Sequence, residues 1–248
     1  MHQSAGGRRV LEKLFLKLLR RDDLAEFELQ ALRESVSATR DYKADDVIVE
    51  AGEPLSHSSI LLEGLVCRSK DLSDGRRQIM EVHVPGDFID LHGFLLKKLE
   101  HNLECLTPAR IAQVPHERLK TITERWPHLS RMLWHSTLVD AALHREKILS
   151  VGRRSALSRL AHLFCELHVR FGVVEMVDGL SYALPLTQSQ LADAAGLTQV
   201  HVNRTLRELR DRGLVIFRNG RVDIQDWDRL VDIAEFDPAY LYLDKQPR

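Results

Sequence analysis
Apolar residues recur at helical spacing from residue 8 to about 35, at Val10, Leu11, Leu14, Phe15, Leu18 and Leu19, then at Leu24, Phe27 and Leu32. Steps of three and four put such residues on one helix face, so a helical lead is expected. From Asp41 to Pro115 the pattern changes to short β-prone runs: Val47–Glu50, Ser59–Leu62, Leu65–Lys70, Gln78–His83, Leu103–Leu106 and Arg110–Val114. Turn-forming residues separate them, among them Asp74-Gly75, a hairpin signal, and Pro85-Gly86-Asp87. Strands this short at this spacing predict a small barrel or sandwich. Pro115 then opens a helical stretch, and Pro127 fits the first turn of a long helix. Along that helix Leu129, Met132, Ser136, Val139 and Leu143 alternate steps of three and four. The stripe reads as a coiled-coil-like seam for self-association, the other reading being a stripe that packs on its own domain. The seam fades at Glu146, Gly152 is expected as a hinge, and a further helix should run from Gly152 to about Arg170. Its apolar face carries Leu157, Leu160, Ala161, Phe164 and Leu167, and Tyr182–Leu186 reads as a brief strand after it.

Leu186 to Leu214 carries the most specific pattern. Thr187 followed by Gln190 is a capping box that starts a helix running to about Ala195. Gly196 supplies the backbone freedom of a tight turn, and Thr198 offers a second N-cap for a helix to about Asp211 or Arg212, closed by Gly213. Leu191, Ala195, Leu197, Val202 and Leu206 fall where two crossed helices pack. That leaves Gln199, Val200, His201, Asn203, Arg204 and Arg207 on the outer side of the second helix. In a helix-turn-helix the start of this second helix enters the major groove. Leu214–Arg218 and Arg221–Ile224 flank Asn219-Gly220, a type I′ turn pair, which adds a wing.

Composition alters this picture in one respect. The 248-residue chain has a formal net charge of −1, yet from Thr198 to Arg221 six arginines (204, 207, 210, 212, 218 and 221) face only Glu208 and Asp211. A basic module within a near-neutral chain suits attraction to phosphate backbone. Cys67, Cys105 and Cys165 stand far apart, with no CxxC pair, and read as buried thiols in a reducing cytoplasm. The N-terminal apolar run is broken by Glu12, Lys13 and Lys17, so neither a signal peptide nor a membrane span is expected. No nucleophile elbow, glycine-rich phosphate loop or HExxH occurs, which argues against an enzyme. An effector-binding or regulatory module without DNA binding would leave the C-terminal arginine face unexplained.

The order of these segments resembles the Crp/Fnr family of bacterial transcription regulators. Three stretches carry the resemblance: Pro85-Gly86-Asp87-Phe88-Ile89, Gly152-Arg153-Arg154-Ser155-Ala156 through Arg159-Leu160-Ala161, and Leu186-Thr187-Gln188 with Gly196 through Arg204. The resemblance implies an α+β fold. Its parts would be a cyclic-nucleotide-binding-like β-roll sensor over residues 1–126, a dimerisation helix and hinge over 127–151, and a winged helix-turn-helix over 152–248. It also implies a cytoplasmic homodimer on a palindromic double-stranded operator, with RNA polymerase as a further partner.

Departures from the family are informative. Members that bind cyclic nucleotides carry Gly-Glu just after this turn and Arg-Ser or Arg-Thr about ten residues later. Here those places hold Asp90-Leu91 and His101-Asn102, so the guanidinium that would pair with the phosphate is missing, as is the Glu that holds the ribose hydroxyl. The signal is therefore expected not to be a cyclic nucleotide. No cysteine precedes Cys67, which excludes the N-terminal iron–sulfur cluster of other members. No cofactor or metal is expected, although haem sensing stays open among twelve histidines such as His83, His92, His101 and His144. For recognition, Arg204 suits guanine, Gln199 and Asn203 suit adenine, and His201 can reach a base edge or a phosphate. Val200 suits a thymine methyl, while Thr198 belongs to the same helix start. Arg207, Arg218, Arg221 and Gln188 are assigned to phosphates.

Overall fold
The computed structural model describes residues 11–247, so Val10 and the start of the expected helical lead lie outside the described residues. The described residues divide into two compact units, residues 11–68, 83–141 and 242–247 in one, and residues 69–82 and 142–241 in the other.

The first unit opens with α1 (Glu12–Arg21) and α2 (Glu26–Ser35). Seven strands follow along the chain: β1 (Ala38–Tyr42), β2 (Val47–Val49), β3 (His57–Glu63), β4 (Val66–Asp71), β5 (Arg77–His83), β6 (Asn102–Cys105) and β7 (Ala109–Pro115), with residues 69–82, the end of β4 and most of β5, belonging to the second unit. The one-turn helix α3 (Gly93–Leu96) interrupts them, and α4 (His116–Arg125) leads into the long α5 (Pro127–Arg153). The strands form two sheets, ordered β1-β7-β3 and β2-β6-β4-β5, with the β1–β7, β3–β7 and β2–β6 pairs antiparallel. Between them Val49, Leu61, Val66, Ile89, Leu103, Cys105 and Ile111 make one core. A second core joins Leu14, Phe15, Leu18 and Leu32 of the first two helices to Ile60, Val114 and Leu119. All six β runs expected from the sequence become strands, within a residue or two. β1 has no counterpart in those expectations because Ala-Thr-Arg-Asp-Tyr is exposed throughout most of its length and shows no apolar alternation.

Gly86 shows why the Pro-Gly-Asp turn is built as it is. Its φ is +90°, and a Cβ there would lie 2.6 Å from the Lys13 backbone, so α1 can rest on the turn only if the residue is glycine. Asp87 completes the turn by accepting from Val84 N at 2.9 Å and pairing with Lys17 of α1.

Helix α5 corrects two expectations. Gly152 lies inside the helix, and the break falls at Arg154-Ser155, where Ser155 Oγ accepts from Ser158 N at 3.1 Å and caps α6 (Ala156–Val173). The stripe expected at a dimer interface is also turned inward. Leu129 and Met132 belong to the helix-facing core, Val139 and Leu143 are buried, and Ser136 Oγ donates to Met132 O at 3.1 Å. A different stripe is open. Trp134, Leu138, Arg145 and Ile148 are exposed, with half-buried Ala141 completing steps of four, three, four and three. Both stripes have seam spacing, and burial alone separates them.

The second unit is built around α6. Leu160, Phe164, Leu167 and Phe171 of that helix are buried, and Tyr182 OH donates to Phe164 O at 2.9 Å. Then come β8 (Val177–Asp178), β9 (Ser181–Ala183), α7 (Gln188–Ala195), α8 (Gln199–Asp211), β10 (Val215–Arg218), β11 (Arg221–Ile224) and α9 (Trp227–Ala234). A short 3-10 turn, Pro238–Leu241, closes it. The strands form a sheet ordered β10-β11-β9-β8, and Asn219 and Gly220 both have positive φ, as a type I′ wing turn needs. Cys67, Cys105 and Cys165 are buried and outside any disulfide, and burial pushes the Cys165 thiol up to about 12. Among the described residues no helix is long and apolar enough to cross a membrane.

Candidate nucleic-acid interface
Local capping builds the reading head. Thr187 Oγ1 accepts from Gln190 N at 3.1 Å while Gln190 Oε1 accepts from Thr187 N at 2.9 Å, which closes the capping box of α7. Gly196 ends that helix in the left-handed region at φ +61°. Thr198 Oγ1 then accepts from His201 N at 3.3 Å and caps α8. Val202, Thr205 and Leu209 are the buried side of α8, with Leu197 and Leu206 half-buried.

Gln199, Val200, His201, Asn203, Arg204 and Arg207 are all exposed on the opposite side, and Val200 stands 76% open. Gln188 is exposed at the first residue of α7, and Arg218 is exposed at the wing. The six arginines do not share one environment. Arg210 pairs with Asp211 at 2.8 Å, Arg212 pairs with Glu208, and Arg221 reaches Asp223 at 3.1 Å and Asp178 at 3.6 Å. The side chains of Arg204, Arg207 and Arg218 have no ion pair or hydrogen bond among the described residues. Charge that is uncompensated in the free protein is the charge available to phosphate or guanine. Arg221, expected at a phosphate, is already matched by carboxylates.

The roll interior holds the residues expected at an effector pocket, but not as an open cassette. Asp90 is fully buried, and its Oδ1 accepts from Ser59 N at 2.6 Å. Burial pushes its carboxyl up to about 7, against the opposing pull of that bond and of Arg68. Leu91 is turned into the helix-facing core, His101 is buried, and Asn102 accepts from Ala51 N at 2.9 Å. A guanidinium is present after all, from a position the sequence did not signal. Arg68 is 1% exposed, donates to Ile89 O at 2.9 Å and pairs with Asp140 of α5 at 2.9 Å. Burial, with Arg68 adding to it, pushes His83 down to about 3 and His92 to about 4. Among the described residues no group of three or more His, Cys, Asp or Glu is placed to hold a metal ion.

A two-layered sensor-like roll together with a winged helix-turn-helix whose second helix presents unpaired arginines defines a DNA-binding transcription regulator. Residues 158–233 match the Crp-like helix-turn-helix domain, and residues 39–125 match the cyclic nucleotide-binding domain. The chain belongs to the Crp/Fnr family of transcription regulators. It is 24% identical over 208 residues to the transcriptional activator protein FnrL of Cereibacter sphaeroides, covering 82% of this chain and 83% of that protein. It is 30% identical over 159 residues to the nitrogen fixation regulation protein FixK of Rhizobium meliloti, covering 62% and 66% of the two chains. Among solved structures, FixK2 from Bradyrhizobium japonicum aligns with a TM-score of 0.70 at 25% identity, over 80% of this chain and 97% of that one.

Proposed function
We propose that the protein is a cytoplasmic homodimer that reads a palindromic duplex with α8 and answers to a signal other than a cyclic nucleotide. The observation that carries the reading is the open outer side of α8, where Arg204 and Arg207 stand without acidic partners. Arg204 pairs with guanine; Gln199, Val200, His201 and Asn203 read neighbouring edges. Arg207, Arg218 and Gln188 hold phosphates, with Thr198 and Arg221 at the margins of the contact. The sensor corresponds to residues 1–126, the dimerisation helix to 127–151 and the DNA-binding domain to 152–248. The seam is the open stripe Trp134, Leu138, Ala141, Arg145 and Ile148, since Leu129, Met132, Val139 and Leu143 are engaged within the chain. RNA polymerase is the further partner, in keeping with a relative named as a transcriptional activator.

Against a cyclic nucleotide stand the inward Leu91, the occupied Asn102 and the buried Asp90 carboxyl, which would face the anionic phosphate. Selection of bound duplexes from a random library should return a palindrome, and addition of millimolar cyclic AMP or cyclic GMP should not change its affinity. Sedimentation should show a dimer for the wild type and a monomer once Trp134→Glu and Leu138→Glu place charges in the seam. A dimer that survives both changes refutes the seam, and a nucleotide-dependent operator affinity refutes the reading of the roll.

A further inference from the structure
The last four carbonyls of an α-helix have no partner within the helix, and where they are buried something else must supply the donors. At the C-terminus of α7 every one is accounted for, mostly from distant parts of the chain. Ala192 O accepts from Leu197 N at 2.9 Å, within the turn itself. Asp193 O accepts from Gln78 Nε2 of β5 at 2.8 Å, and Ala194 O accepts from Lys147 Nζ of α5. Ala195 O and Gly196 O both accept from Arg159 Nη1 of α6, at 2.9 and 3.2 Å. The other arm of the same guanidinium, Nη2, donates to Val151 O at 2.9 Å and Arg154 O at 3.1 Å, where α5 ends. Arg77 adds an ion pair to Asp193 at 3.1 Å. Cationic donors also complement the negative end of a helix dipole. Only Leu197 separates this cluster from Thr198, the cap of α8.

We infer that Arg159, Lys147 and Gln78 are positioning residues for the recognition helix: by gripping the C-terminal carbonyls of α7 they set the angle at which α8 meets DNA. The inference rests on the reading of α8 as the recognition helix. Arg159 is the joint of the cluster because one rigid, five-donor fork ties the ends of two helices together. Lys147 is the titratable member. Burial, with Arg159 adding to it, pushes its ammonium down to about 8, while Glu166 and Glu81 oppose the shift. The charged groups around it are Glu81 on β5, Glu146 on its own helix, and Arg159, His162 and Glu166 on α6. His162 is driven below its ordinary range, chiefly by burial, and so does not titrate near pH 8.

The test compares Arg159→Gln, Arg159→Lys, Lys147→Met, Lys147→Arg and Gln78→Ala in the full-length protein. Affinity for the selected operator should fall about ten-fold or more in Arg159→Gln and be partly restored in Arg159→Lys, while binding to nonspecific duplex at low salt stays unchanged. Loss of a phosphate contact would weaken both kinds of duplex alike, and unfolding would abolish both. Wild-type operator affinity should decline as pH rises through about 8, a step absent from both Lys147 variants, with Lys147→Arg held at the high level and Lys147→Met at the low. Hydrogen exchange at fixed pH provides an arm that needs no DNA: amides of residues 199–211 should lose protection in Arg159→Gln and Gln78→Ala. If wild type selects no duplex, the recognition-helix reading fails while this exchange arm still judges the cluster. Unchanged specificity together with unchanged exchange in Arg159→Gln, or in Lys147→Met and Gln78→Ala if the first does not fold, overturns the inference.

Discussion
Arginine occurs in two opposite settings in this molecule. Inside the roll, Arg68 is 1% exposed, held by a backbone carbonyl and the Asp140 carboxylate. On the outer side of α8, Arg204 and Arg207 are exposed and have no partner among the described residues. The same guanidinium chemistry is closed in one place and open in the other. A buried ion pair whose bonds are met internally serves the fold, and breaking it leaves a carboxylate without its counter-charge. An exposed, unpaired arginine contributes little to stability but keeps its five donors for a ligand. The difference lies in the neighbours each residue is given.

Mutation should separate the two settings cleanly. Arg68→Ala should cost about 3–5 kcal/mol of stability by stranding Asp140, read as a fall in the denaturant midpoint, with base preference in the remaining folded protein unchanged. A mild effect on stability would mean that the roll interior is wetter than its burial implies.

Asp90→Asn tests the same interior with the opposite sign. Its carboxyl titrates near 7 when folded and near its ordinary value when unfolded, so the folded state binds the extra proton between those limits. Stability from this group is complete below about pH 4 and is lost as pH rises to about 7. An asparagine keeps an acceptor for Ser59 N and does not titrate. The variant should gain on wild type as pH rises from 4 to 8, by an amount on the order of 2–4 kcal/mol, followed by melting at each pH.

Arg204→Ala should leave melting unaltered and cost about 1–3 kcal/mol at the selected operator, with preference flattened at one position per half-site. An unchanged operator affinity would remove Arg204 from the recognition set. Arg218→Ala should have the smallest effect, weakening all duplexes alike and lowering the slope of log affinity against log salt by roughly one unit.

Much of the reading head was legible beforehand because its signals are local. Thr187 with Gln190, Gly196, Thr198 and Asn219-Gly220 each act within four residues, and each forms the cap or turn its chemistry predicts. The exposed set on α8 followed from helical period, since Val202, Thr205 and Leu209 face inward while Asn203, Arg204 and Arg207 face out. The roll was legible as strands but not as an interior. Arg68 lies in the middle of the Leu65–Lys70 run, and no local pattern marks an arginine that will be enclosed. On α5 the periodicity could not say which side is covered within the chain, because two stripes on one helix share the spacing and only packing decides between them.

The sequence by itself determined where the two helices of the helix-turn-helix begin and end, which side chains the second of them turns outward, and the family to which the chain belongs. Tertiary structure alone decided which arginines remain unpaired, which stripe of α5 is open, and what grips the end of α7. Those outcomes depend on residues far apart in the chain, such as Gln78 with Asp193 across 115 positions and Arg159 with Ala195 across 36. Caps and turns are settled by neighbours within a few residues, whereas burial and charge pairing are settled only when the chain has closed on itself.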